Sequence, residues 1–212
     1  MTALAAFTKH VRYSTSITDA TLFSSSDLKH QINLPSTATD DDTWVANAVS
    51  AARSLLERSV PGGLAIRLQT KQLVLNKFPS SDNGEIELPF PPLNSSATEI
   101  TITYYDGNNS STTLASSNFR LVDPGNGYRA KIYPAIDKTW PVTKSRQDAV
   151  SIEFNCGSTN SSNVPPTIKH AMNLLVTHWY ENRSALVIGT ITKEIELGLE
   201  ALLMSNGYGF YG

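Results

Sequence analysis

The chain has 212 residues, a formal net charge of -2, 40% hydrophobic and only 17% charged residues. It is long enough to bury a core as one domain or as one domain with a sizeable insertion, and its neutral, hydroxyl-rich composition excludes a protein that grips nucleic acid by neutralising phosphates. Its single cysteine, Cys156, excludes an internal disulfide and any metal cluster built on thiolates.

The apolar stretch Ala3 to Phe7 is too short for the core of a secretory signal, and no run approaches membrane-spanning length. A soluble protein that stays where it is made is therefore expected, and the Asn-x-Ser triplets at Asn94, Asn109 and Asn182 carry no weight as glycosylation sites. Helical signals come next. Ser24 to Leu34 reads as a short capped helix and Thr39 to Val60 as a long one. On its wheel Trp44, Val45, Ala48, Val49, Ala51, Ala52, Leu55 and Leu56 fill one arc, with Asn47, Ser50, Arg53, Ser54, Glu57 and Arg58 on the other. Asp40, Asp41 and Asp42 stand where carboxylates cap free amides and oppose the helix dipole.

"PGG" at Pro61 to Gly63 stops this helix, and from Leu64 to Gly157 the period changes to short strands. The candidates are Leu64 to Phe78, Gly84 to Phe90, Thr98 to Asp106, Thr112 to Val122, Tyr128 to Pro134 and Ala149 to Cys156. "SSDNG", "DGNNSS" and "DPGNG" separate them with turn chemistry, and the prolines of "PFPPL" (Pro89 to Leu93) bar it from a central strand. Gly157 to Pro166 reads as a linker back into helix. The expected architecture is α+β, a helical bundle with an inserted antiparallel β module: residues 1–63 and 158–212 helical, 64–157 the insertion.

"IKHAMNLLVTHWYENR", Ile168 to Arg183, crowds two histidines, a tryptophan, a tyrosine and a glutamate into one run. Its wheel gathers Ile168, Ala171, Met172, Leu175 and Trp179 on an apolar stripe and puts His170 on the polar face, so the histidines lack the one-face, four-apart spacing of a helical zinc site. The run is an amphipathic helix, expected to pack on the Thr39 to Val60 helix with Trp44, Leu55, Met172, Leu175 and Trp179 as core anchors. No phosphate-cradling or nucleophile-elbow motif occurs, and Cys156 at a strand end reads as a small buried apolar side chain. Neither an enzymatic activity, a cofactor nor a metal site is expected. At the C-terminus Ile195, Leu199, Leu202 and Leu203 form a helical stripe interrupted by Gly198. Tyr208, Phe210 and Tyr211 then make an aromatic tail with the composition of an interface anchor.

These motifs in this order resemble the head-to-tail connector, or adaptor, proteins of tailed bacteriophages. The likeness begins with Asp41, Asp42, Ala51, Ala52 and Glu57 in the long helix, and continues through "LPFPPLNSSATEITITYYDGN", the Trp140–Pro141 turn and the Ala149 to Gly157 strand. "VPPTIKHAMNLLVTHWYENR" and "LGLEALL" complete it, so that it covers about residues 22 to 204. The chain departs from the family pattern at "RSVPGG", where a Thr-Gly-Arg turn is usual, and in the tail beyond Met204.

The resemblance implies a structural, non-enzymatic virion protein of the neck, assembled in the host cytoplasm. It implies a homo-oligomeric ring of roughly twelve copies docked beneath the portal. Such a ring extends the DNA channel, serves ejection, and offers a platform to the next neck or tail-completion protein, while double-stranded DNA passes through without specific binding. With the portal placed nearby, Ile195, Leu199, Leu202, Leu203, Tyr208, Phe210 and Tyr211 are expected to dock on it or on an adjacent subunit. The alternatives are a glycan- or protein-binding module on a helical base, and another ring-forming tail-completion protein.

Overall fold

The computed structural model describes residues 6–13, 16–60, 63–80, 84–95, 98–125, 127–183 and 193–205. The chain divides into two compact units, residues 1–14 with 68–157 and residues 15–67 with 158–212.

The second unit is helical: α1 (Asp19–Leu22), α2 (Ser25–Gln31), α3 (Asp42–Ser59), α4 (Pro166–Glu181) and α5 (Lys193–Ser205). In α3 the buried positions Val45, Ala48, Val49, Ala52 and Leu56 recur at three- and four-residue steps, as do Ile168, Ala171, Met172, Leu175, Val176 and Trp179 in α4. These stripes meet, and α1, α2 and α5 close over them with Leu22, Leu28, Leu199 and Leu203. Met172, Leu175 and Trp179 are core, whereas Trp44 and Leu55 are half-buried at its margin. Thr18 caps α1 through a reciprocal box with Thr21, and Pro166 opens α4 at a position where its missing N–H costs nothing.

Two side chains assigned above to the polar arc of α3 are buried. Arg53 donates from Nε to Asp19 Oδ1 (2.6 Å) and from Nη1 to Glu57 Oε2 (2.7 Å). Glu57 Oε1 in turn accepts the backbone N–H of Ile66 at 2.9 Å. The wheel placed them correctly by angle, but the returning chain after Gly63 covers that side. Burial is tolerated because each charge is paired and hydrogen-bonded.

The first unit holds two antiparallel sheets. β1 (Ala6–Tyr13), β2 (Gln69–Leu75), β4 (Thr101–Tyr105), β5 (Ser111–Leu114) and β8 (Val150–Cys156) form a sheet of order β1-β2-β8-β4-β5. β3 (Ile86–Glu87), β6 (Phe119–Val122) and β7 (Lys131–Pro134) form the second, of order β3-β7-β6. Period-two alternation gives the larger sheet one apolar face, with Leu73, Ile152, Ile102 and Leu114 in register across four strands and all buried. The opposite face is polar: Thr70 Oγ1 donates to Asn155 Oδ1 and Gln72 Nε2 to Ser151 Oγ, each at 2.8 Å.

Three sequence expectations need correction. Residues 6–13 form β1 and pair with β2, from Ala6 opposite Leu75 to Tyr13 opposite Gln69, so they belong with the sheets and not with the helices of residues 1–63. Their interleaved Lys9, His10 and Arg12 mask a strand that only a partner sixty residues later selects. The strand expected over Leu64 to Phe78 is regular only from Gln69, because Leu64 and Ile66 are spent on the helical core. The expected strand Thr112 to Val122 breaks at a 3-10 turn, Ser116–Asn118, which sends β5 and β6 to different sheets. The turn readings "DGNNSS" and "DPGNG" hold: Asp106 Oδ1 accepts the N–H groups of Asn108 and Ser110, and Asp123 Oδ1 that of Gly125.

Trp179, only 3% exposed at the centre of the α4 stripe, carries the first prediction. Trp179→Ala should cost about 3–5 kcal/mol of unfolding free energy, read by chemical denaturation, because the void cannot collapse between packed helices.

Candidate functional site

At the C-terminal end of α4 lies a cluster built on Asp41, Trp44, Tyr180 and Arg183. Asp41 sits at the N-cap of α3, yet its carboxylate makes no cap hydrogen bond. Oδ2 accepts from the Tyr180 hydroxyl (2.8 Å) and Oδ1 from Arg183 Nη1 (2.9 Å). The Arg183 guanidinium lies over both the Tyr180 ring (3.9 Å) and the Trp44 ring (4.5 Å), and those rings meet edge to face at 5.3 Å. Asp42, another of the three aspartates expected to cap, pairs with Lys29, whose Nζ also donates to the Ala38 carbonyl at 2.6 Å. The "WYENR" signature is thus a clamp between the start of α3 and the end of α4.

His170 is exposed on the polar face, whereas Asn182 closes on the His178 carbonyl at 2.8 Å. Among the described residues no group of three or more His, Cys, Asp or Glu could hold a metal ion. Cys156 is buried, its Sγ 3.5 Å from the Gln69 carbonyl.

The expected docking stripe divides in two. Leu199 and Leu203 are buried in the unit's own helical core and are unavailable to a partner, because α4 already covers them. Leu202 packs partly against the same core, and Met204 is exposed. The side chain of Ile195, and Tyr208, Phe210 and Tyr211 entirely, lie outside the described residues.

Sequence reasoning missed the apolar surface of the sheet unit. Ile136 is 81% and Val142 86% exposed, and Phe7 and Val11 project from β1. Val142 borders an open groove of about 540 Å³ lined by Lys77, Pro79, Lys144 and Arg146. Its floor is Phe78 stacked on Trp140 at 4.8 Å, with the Trp140 indole N–H held by the Gly84 carbonyl. The Trp140–Pro141 pair was the available signal for this groove; isolated apolar residues in polar loops give none.

Solved structures sharing this fold include a chain of the neck of an empty gene transfer agent (GTA) particle computed with C6 symmetry. It has a TM-score of 0.66 at 18% identity, covering 97% of this chain and 96% of that one. A chain of the virion of the native particle gives 0.66 at 18% identity over 94% of each chain. One from the native neck computed with C12 symmetry gives 0.61 at 16% identity, covering 97% and 96% respectively. Neither a protein-family model nor a curated protein matches the sequence.

The clamp has a pH signature. Hydrogen bonds from Arg183 and then Tyr180, reinforced by the Arg183 charge, hold the Asp41 carboxyl below the ordinary aspartate value of 3.8. A carboxyl depressed on folding contributes stability above its unfolded value and loses it as pH falls through the folded one. Asp41→Asn should therefore melt below wild type at neutral pH, and the gap should close progressively below about pH 4 in thermal scans.

Proposed function

We propose that this protein is a head-to-tail adaptor of a tailed phage-like particle, forming a ring beneath the portal that extends the DNA channel and receives the next neck or tail-completion protein. The observation that carries the reading is its fold likeness, over nearly the whole of both chains, to chains from gene transfer agent necks. The motif order in the sequence points independently to the same class. The C6 and C12 symmetry of those neck structures favours a cyclic homo-oligomer, in which two different faces of one subunit meet. The net charge of -2 suits a lumen through which double-stranded DNA slides, since a basic wall would retain it by counterion release. The site of action is then the virion neck, after assembly in the host cytoplasm.

Electron microscopy of the cognate portal mixed with this protein should show an added ring of matching symmetry. Its absence under conditions that support neck assembly would refute the reading.

Within it, the docking element narrows to the aromatic tail, Tyr208, Phe210 and Tyr211, with Met204 and the outer side of α5, since Leu199 and Leu203 are committed to the core. Deleting Tyr208 to Gly212 should leave circular dichroism and melting unchanged, because α5 keeps its own anchors, and should abolish ring attachment to the portal. Full attachment by the truncated chain would return the tail to a passive terminus.

A further inference from the structure

Among the described residues the five-stranded sheet has two open edges of different character. Among the described strands β1 hydrogen-bonds to β2 alone and β5 to β4 alone, so one side of each backbone ladder is unused. Both edges reach the surface: Ala6, Phe7, Val11 and Arg12 on β1, and Ser111, Thr112 and Thr113 on β5, are exposed. A free ladder of amides and carbonyls is a template for another extended strand, and its chemistry names the occupant as polypeptide backbone.

Two features select which strand. Every neighbour in the order β1-β2-β8-β4-β5 is antiparallel, so β1 and β5 run in the same direction. A copy brought alongside by rotation about a ring axis can therefore continue the sheet by setting its β1 parallel to β5. The second feature is charge. β1 carries Lys9, His10 and Arg12, whereas Ser111, Thr112, Thr113 and Leu114 of β5 carry none. A two-fold β1–β1 pairing would set the basic cluster against its own copy, and like charges across a ladder oppose pairing. The β5 edge imposes no such penalty.

We infer that the β1 edge of one copy pairs in parallel with the β5 edge of the next, so that the subunit interface of the ring is a continuous β-sheet. The inference rests on the cyclic assembly proposed above and names the surface that builds it. Phe7, Val74, Ser151, Thr103 and Thr113 form one transverse row across all five strands, on the face opposite Leu73 and Ile152. In the pairing Phe7, 56% exposed in the single chain, comes beside the row's far end in the neighbour. A heterologous pairing of this kind consumes one β1 and one β5 edge per subunit and leaves no edge of the five-stranded sheet open once the ring closes.

Cysteine cross-linking in the full-length chain tests it, since adjacent strands lie about 4.8 Å apart, within disulfide reach. Cys156 is fully buried and stays out of the reaction. Under conditions in which microscopy shows rings, with or without portal, mild oxidation of the double variant Phe7→Cys/Thr113→Cys should give a ladder of covalent oligomers on a non-reducing gel. An equal mixture of the two single variants should stop at dimers, and neither single variant alone should cross-link. Rings that give no ladder with this pair or with the register-shifted Phe7→Cys/Ser111→Cys overturn the inference and leave the neck reading standing. Dimers from Phe7→Cys alone overturn it in favour of a two-fold contact. Subunits that stay monomeric with and without portal overturn the ring itself, and the inference with it.

Discussion

The apolar seam between α3 and α4 is the constraint on which the helical unit depends. Each helix presents a stripe that water penalises, and neither can bury it alone; together they enclose Ala48, Ala52, Ala171, Met172 and Leu175 with no exposed surface. The small alanines let the helix axes approach, and the larger residues fill the remaining volume. More than a hundred residues separate the two stripes in the chain. Closing so long a loop is less costly than its length implies, because closure entropy grows only logarithmically and each doubling adds about 0.6 kcal/mol. The seam therefore tolerates a large folded segment between its halves, and β2 to β8 occupy that interval.

Around the seam the helical unit places its charges in clusters. Asp19, Arg53 and Glu57 tie α1 to α3 and receive the backbone as it leaves Gly63, while Asp41, Tyr180 and Arg183 lock the start of α3 to the end of α4. Desolvation offsets most of the Coulombic gain of such a buried cluster. Removing one partner is a different matter, because it strands the remaining charge. In "HWYENR" tyrosine, arginine and a remote aspartate converge to fix a helix end, with the guanidinium lying over two rings set edge to face.

The sheet unit solves a different problem. Its larger sheet buries one face, and on the other Thr, Ser, Gln and Asn side chains hydrogen-bond to one another across the strands beside Glu153 and Arg12. The two edges of the sheet differ in composition. β1 carries Lys9, His10 and Arg12 and β5 carries no charged residue, and the apolar tips Ile136 and Val142 lie on loops of the same unit.

Helix periodicity in Asp42–Ser59 and Pro166–Glu181 was readable from the residues alone, because a three-to-four spacing of apolar side chains has one physical solution at that length. Turn positions were equally local, since Asp106 and Asp123 bond backbone amides within four residues of themselves. The partnerships were not local. Whether Arg53 and Glu57 face water depends on where the chain returns after Gly63. Whether Ala6–Tyr13 is a strand depends on a partner at Gln69–Leu75. Whether Leu199 and Leu203 face a partner protein or their own core depends on α4 being there to cover them. A wheel assigns an angle and an alternation assigns a face, but burial is a property of what lies opposite. Tertiary structure alone decided that, because a periodic stripe in one segment does not say which distant segment will cover it.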